Sequence, residues 1–198
     1  MTLKQKEQLE KFKKFTNWMC VDLERTIFCA RANFLIAMVL FNYIEILGSF
    51  VIGFFEKDKT GNKKKDKKGK LIKTATSARF KEFFIYMGDK YKKLLDNNPD
   101  IYNELRCGLT HEYLPKKRKF QIFNPDGFKS EEEIDRTASC GVIFDSQNNL
   151  WKIINSKLYL DFKRAISRLI KEIEDGKNSE LINNFFETAD QINFENFG

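Results

Sequence analysis

A mainly α-helical bundle with a small β-hairpin appendage is the fold class this 198-residue sequence predicts. Three observations carry it. Apolar residues recur at helical spacing along most of the chain. Only three prolines interrupt it, so few helices are forced to break. After Pro115 the texture changes to short apolar runs that read as strands. The length suits a single domain, 1–198, with a sizeable core. Its helical core covers about 3–114 and 156–192, a lysine-rich loop covers 56–76, and the β appendage covers about 119–155.

The first helix runs from Leu3 to about Phe28, with Leu9, Phe12, Phe15 and Met19 on one side. Residues 33–55, "NFLIAMVLFNYIEILGSFVIGFF", are apolar nearly all round and long enough to span a bilayer. Against a membrane stand Asn42 and Glu45, three apart on one face, and Gly48 and Gly53. A charged Glu near the middle of a lone span costs about 2.5–3.5 kcal/mol. A central buried bundle helix fits better, and no membrane is expected.

A third helix over 77–96, capped by Ser77, buries Phe80, Phe83, Phe84, Met87, Tyr91 and Leu94. Asn98 caps the next, Pro99 sits at its first position, and Pro115 stops it. "FQIF", "CGVIF" and "LWKII" read as strands, the last two joined by a turn around Ser146–Asn149. "NPDGFKSEEEIDR" between them reads as a loop. A helix then runs to Gly176, and a short one closes the chain over 179–192.

The net charge of +7 is concentrated in one stretch. From Glu56 to Lys73, nine lysines face Glu56, Asp58 and Asp66, an excess of six. No internal repeat is evident, and the stretch reads as a solvated, mobile loop. It also reads as a tethered polycation that gathers phosphate backbones by counterion release, through Lys63, Lys64, Lys65, Lys67 and Lys68. The four cysteines Cys20, Cys29, Cys107 and Cys140 show no C-x-x-C spacing. Without a signal peptide, reduced thiols and a cytoplasmic location are the expectation.

The only histidine lies in "ELRCGLTHEYLP", residues 104–115. At about 100° per residue, Ile101, Leu105, Leu109 and Tyr113 form a stripe facing the bundle core. His111 falls on the other side near Cys107, with Asn103 and Thr110 on the polar face and Arg106 at its edge. Arg106 and His111 then lie roughly 140° apart on a regular helix. Two copies of the helix meeting across a two-fold axis would bring two Arg and two His into one cleft. Such a cleft suits a phosphodiester, because arginine forks onto phosphate and histidine titrates near neutral pH.

Arg106-Cys107-Gly108-Leu109-Thr110-His111, with Tyr113 completing Arg-x4-His-x-Tyr, resembles the motif of the HEPN-domain ribonucleases. The resemblance covers eight residues of motif, and the helical order around it covers roughly 30–114 and 156–175. It implies a HEPN-like bundle, a homodimer, and metal-independent endoribonuclease activity in a bacterial toxin or antiviral defence system. Arg106 and His111 would be catalytic, with no cofactor, RNA as substrate, and an antitoxin or regulatory protein encoded nearby. Tyr113 matches a tyrosine that is an AMPylation target in some of these toxins. The family often has Asn or Asp after the arginine, where this chain has Cys107. That departure favours the alternative, a non-catalytic HEPN-like module that binds RNA, nucleotide or protein. A second rival, a membrane-anchored or structural protein, rests on 33–55.

Each residue has a plainer role beside the sharper one. Arg106 alone is most simply a surface ion pair with Glu104 or Glu112, and it gains meaning only with His111. Cys107 and His111 have the spacing of two zinc ligands, but no second pair accompanies them, so no metal is expected. Glu45 and Asn42 are either satisfied structural hydrogen-bond partners or, for Glu45, an orienting partner of Arg106 or His111. Lys116, Lys117, Arg118 and Lys119 are a solvated charge run or a grip on the RNA backbone.

Overall fold

The computed structural model describes residues 1–27, 32–112, 119–123 and 130–192, with backbone alone at His111 and Glu112. The helices are α1 (Leu3–Arg25), α2 (Asn33–Ile52), α3 (Thr76–Tyr86), α4 (Asp89–Asn97), a π-helix (Tyr102–Glu112), α5 (Glu131–Thr137), α6 (Asn155–Asp175) and α7 (Ser179–Gln191). The strands are β1 (Lys119–Phe123), β2 (Val142–Asp145) and β3 (Leu150–Ile154). The architecture is mainly α with a small β appendage, as the apolar periodicity predicts.

Thr2 and Gln5 start α1 with a reciprocal capping box, and the helix buries Leu9, Phe12, Phe15, Met19 and Leu23. Central to the bundle is α2, packed against α3, α6, α7 and the π-helix. It is long and apolar enough to cross a membrane, and half of its most apolar window is buried inside this fold. Phe12, Phe50 and Phe185 join α1, α2 and α7, with ring centroids 4.7–5.3 Å apart. Phe80 packs on Phe41 and on Tyr102, tying α3 to α2 and to the π-helix. Gly48 permits the close α2–α3 approach, since a Cβ there would sit 1.8 Å from the Arg79 carbonyl oxygen.

Where one helix is expected over 77–96, the structure has two. The chain breaks at Met87-Gly88, because Gly88 takes φ 138°, a conformation that cannot continue a helix. Ala75, not Ser77, precedes α3. Part of the stretch expected to be a loop is α5, started by a capping box between Ser130 and Glu133. The expected hairpin of β2 and β3 is present, and β1 pairs in parallel with β3 to give a sheet of order β1-β3-β2. Parallel pairing needs a long crossover, here supplied by the segment containing α5 and β2.

Two buried polar contacts fix this sheet to the bundle. Trp151 Nε1 on β3 donates to Glu104 Oε2 of the π-helix at 2.7 Å. The Gly141 N–H donates to the Tyr91 hydroxyl at 3.0 Å, and that hydroxyl donates to Asp161 at 2.7 Å. Lys157, almost fully buried, bridges Asp161 and Asp135 at 2.7 Å each. Arg164 forks onto Asp135 at 3.0 and 2.9 Å, so α5 is clamped to α6 by charge.

Hydrogen bonds from Arg164 and Lys157 hold the Asp135 carboxyl down to about 2. A lowered folded pKa means stability that is present above the ordinary aspartate range and lost as pH falls through the folded value. Asp135→Asn should therefore lower stability at neutral pH. The difference from wild type should shrink as pH falls towards about 2. Urea melts of both proteins at neutral and acid pH check this, and a difference independent of pH would refute it.

Candidate functional site

The residues singled out in 104–115 lie on a helix of a different kind from the one their sequence predicts. Tyr102–Glu112 is π-helical, with hydrogen bonds from i to i+5 in place of i to i+4. This corrects the expected angle between Arg106 and His111. Residues five apart stand roughly one above the other on such a ladder, so the backbone places both on one side of the helix. Ile101, Tyr102, Leu105 and Leu109 are buried, as is Glu104. Asn103 is exposed and donates to Asp100 at 2.6 Å, while Arg106, Cys107 and Thr110 are half-buried. The His111 side chain lies outside the described residues, as do Tyr113, Lys116, Lys117 and Arg118. Lys119 is the exposed first residue of β1.

Arg106 pairs across the helix interface with Glu45 of α2, Nε to Oε2 at 2.5 Å. Glu104, one of the two partners the sequence offers, is buried and accepts from Trp151, and the Glu112 side chain lies outside the described residues. The Arg106 and Glu45 side chains are 14% and 12% exposed, so the pair is largely removed from water. One helical turn earlier, Asn42 donates to the Met38 carbonyl at 2.8 Å and reaches Thr110 Oγ1 at 3.5 Å. Asn42 and Glu45 of α2 thus face Thr110 and Arg106 of the π-helix.

Three further residues complete the cluster, and none was singled out from the sequence. Tyr102 donates to Thr76 Oγ1 at 2.9 Å, with its hydroxyl 3.4 Å from Glu45 Oε2. The Arg106 guanidinium lies over its ring, 5.9 Å from the centroid. Arg79 of α3 adds a second positive charge near Glu45 and stacks on Phe54 at 4.9 Å. Tyr102 had a signal in its position four before Arg106. Thr76 and Arg79 had none, being 30 and 27 residues away in sequence.

Burial pushes the Glu45 carboxyl up, against the attraction of Arg106, the Tyr102 hydroxyl and Arg79. Burial likewise raises Tyr102. The arrangement is a guanidinium anchored by a desolvated carboxylate, at the edge of the helix face that carries the histidine backbone. A fixed, partly desolvated guanidinium is suited to an oxyanion, because little reorganisation is needed when charge arrives.

The lysines of the loop separate into two groups. Lys63 pairs with Glu187 at 3.1 Å and Lys64 with Glu56 at 3.2 Å. Lys65, Lys67 and Lys68 are exposed and have no partner among the described residues.

Comparison of the chain with protein-family models, with curated proteins and with solved structures finds no match.

The raised Glu45 carboxyl gives a pH dependence opposite in sign to that of Asp135. Its contribution is full below the ordinary glutamate range and is lost as pH rises through the raised value. Glu45→Gln removes this titration. Wild type should therefore lose stability relative to Glu45→Gln as pH rises from below 4.5 through that window. Parallel denaturant melts measure it, and a constant difference would contradict the assignment.

Proposed function

We propose that this protein is a metal-independent endoribonuclease of the HEPN type, acting as a homodimer in a bacterial toxin or defence system. The observation that carries the reading is the Glu45–Arg106 pair beside a π-helix. One guanidinium is locked in place on the helix side that also bears the His111 backbone.

In this mechanism the ribose 2′-oxygen attacks the adjacent phosphorus and the 5′-oxygen leaves. The 5′ fragment ends in a 2′,3′-cyclic phosphate. Arg106 stabilises the charge on the non-bridging oxygens, which the flat guanidinium fork matches better than an ammonium. His111 takes the 2′-hydroxyl proton or donates one to the leaving oxygen. The second subunit supplies the complementary Arg106 and His111. Asn42, Thr110 and Asn103 are supporting polar groups, and Lys116, Lys117, Arg118 and Lys119, which follow the motif in sequence, serve as a grip on the backbone.

A second reading, a non-catalytic module that binds RNA, nucleotide or protein, is favoured by two observations. Arg106 is already paired with a carboxylate, and Cys107 stands where the resembled family often has Asn or Asp. Catalysis separates the two. Wild-type protein should cut RNA in the presence of EDTA and leave DNA intact, because only RNA offers the 2′-hydroxyl. His111→Ala should melt like wild type and cut more slowly by ~10²–10⁴-fold, the share of a positioned acid–base group. If His111→Ala cut at the wild-type rate, the binding-module reading would take its place.

A further inference from the structure

The lysine-rich segment is folded, contrary to the mobile loop its composition predicts. Three short stretches, 54–57, 63–66 and 71–74, hydrogen-bond in a closed cycle. Lys64 N donates to the Glu56 carbonyl at 2.8 Å, Ile72 N to that of Lys64 at 3.0 Å, and Glu56 N to that of Ile72 at 2.9 Å. These three residues are eight apart, and, against the expectation of no internal repeat, "KDKTGNKK" (57–64) and "KDKKGKLI" (65–72) are two copies of one short unit. Asp58 Oδ1 accepts the N–H groups of Thr60 and Asn62 at 2.8 and 3.0 Å. Asp66 Oδ1 accepts those of Lys68 and Lys70 at 2.8 and 2.9 Å. Gly61 (φ 85°) and Gly69 (φ 80°) turn the chain back at the same place in each unit.

The base of this knob is pinned to the bundle. Phe55 N and Lys63 Nζ both reach the Glu187 carboxylate of α7, at 3.2 and 3.1 Å. Lys57 bonds the Asn184 side chain, and the Thr74 hydroxyl donates to the Gly53 carbonyl at 2.9 Å. All three carboxylates are engaged within the knob: Asp58 and Asp66 by turn N–H groups, and Glu56 by Lys64. The ammonium groups of Lys59, Lys65, Lys67, Lys68 and Lys70 are on exposed residues and have no partner among the described residues.

We propose that residues 54–74 are a preshaped clamp for an RNA phosphate backbone. Lys59, Lys65, Lys67, Lys68 and Lys70 meet phosphates, while Lys57, Lys63 and Lys64 hold the scaffold. This rests on the reading that RNA is the ligand, and it names the element that grips it. Ammonium groups are phosphate-binding point charges, and bringing several to a polyanion releases counterions. The clamp's two aromatic residues, Phe54 and Phe55, are covered by Lys73, Arg79 and Lys63, and none lies between 56 and 73, so the clamp offers no free platform for base stacking and reads backbone without sequence. Because the turns are already formed, binding does not have to order a chain first.

Binding of a short labelled single-stranded RNA to the full chain across a salt series tests this. Changing the five unpartnered lysines to Gln should flatten the slope of log K against log salt by about 3.5, about 0.7 for each phosphate no longer neutralised. Gly61→Val with Gly69→Val keeps every charge, and a Cβ at either position meets no atom within 4 Å, but β-branched residues are forced into positive φ. It should weaken binding at least about fivefold with the bundle's melting unchanged, because a disordered clamp must be re-ordered by its ligand. Wild-type affinity in the glycine variant would overturn the preshaped clamp in favour of charge alone. An unchanged slope in the lysine variant, or capture of phosphatidylserine vesicles without RNA binding, would overturn the RNA assignment. A wild-type protein that binds through the knob but never cuts would refute the nuclease reading and leave the clamp standing.

Discussion

One ion pair sets the terms for the rest of the molecule: Glu45 against Arg106, in the seam between α2 and the π-helix. An apolar helix through the centre of a bundle gains nothing from a carboxylate on its side. Taking a carboxylate and a guanidinium out of water costs several kcal/mol per ion, which Coulomb attraction repays only with good geometry and further bonds. The neighbours offset part of this cost, and burial still outweighs them at the Glu45 carboxyl. The Tyr102 hydroxyl bridges Thr76 and Glu45, its ring faces Arg106, and Arg79 adds a second positive charge. The pair is therefore a device that fixes the register of α2 against the π-helix. Apolar packing alone would specify that register less sharply.

The same seam joins the two basic features of the chain. The last stretch of the knob ends at Thr74, two residues before Thr76, which receives the Tyr102 hydroxyl bond. Arg79 rests on Phe54 at the start of the knob and donates to its carbonyl at 3.4 Å. Gly48 brings α3 against α2 at this level, so the knob's base and the Arg106 cluster share one rigid joint. A backbone gripped by the knob, as proposed, would thereby be held relative to Arg106. That is the arrangement a positioned cleavage needs, since misplacement by an ångström is costly to rate.

Much of the fold was legible because its physics is local. The buried faces of α1 and α6 recur at helical spacing, and Trp151 and Ile153 alternate on β3. Glu45 beside Arg106 was visible as one of two options, since a carboxylate in so apolar a helix needs a partner. Other features depend on interactions that no window of sequence contains. The π-helix lies outside any analysis at 100° per residue, and it moves Arg106 and His111 onto one side. Thr76 and Arg79 join the site only through the α2–α3 packing that Gly48 allows. The split between α3 and α4 turns on a single φ at Gly88. In the knob, the two Asp-x-x-Gly turns were present in the sequence but hidden by the density of lysine. Net charge is a poor guide to order when each carboxylate is bound by backbone N–H groups or a neighbouring lysine.

The central claim is that Arg106 and His111 drive attack by the ribose 2′-oxygen. The most direct measurement is the mass of the 5′ fragment released from a defined RNA. The account predicts a 2′,3′-cyclic phosphate end, and no cut where a single 2′-deoxynucleotide replaces the ribose at the cleavage site. A 3′-hydroxyl end paired with a 5′-phosphate, or an undiminished cut at the deoxy position, would contradict it.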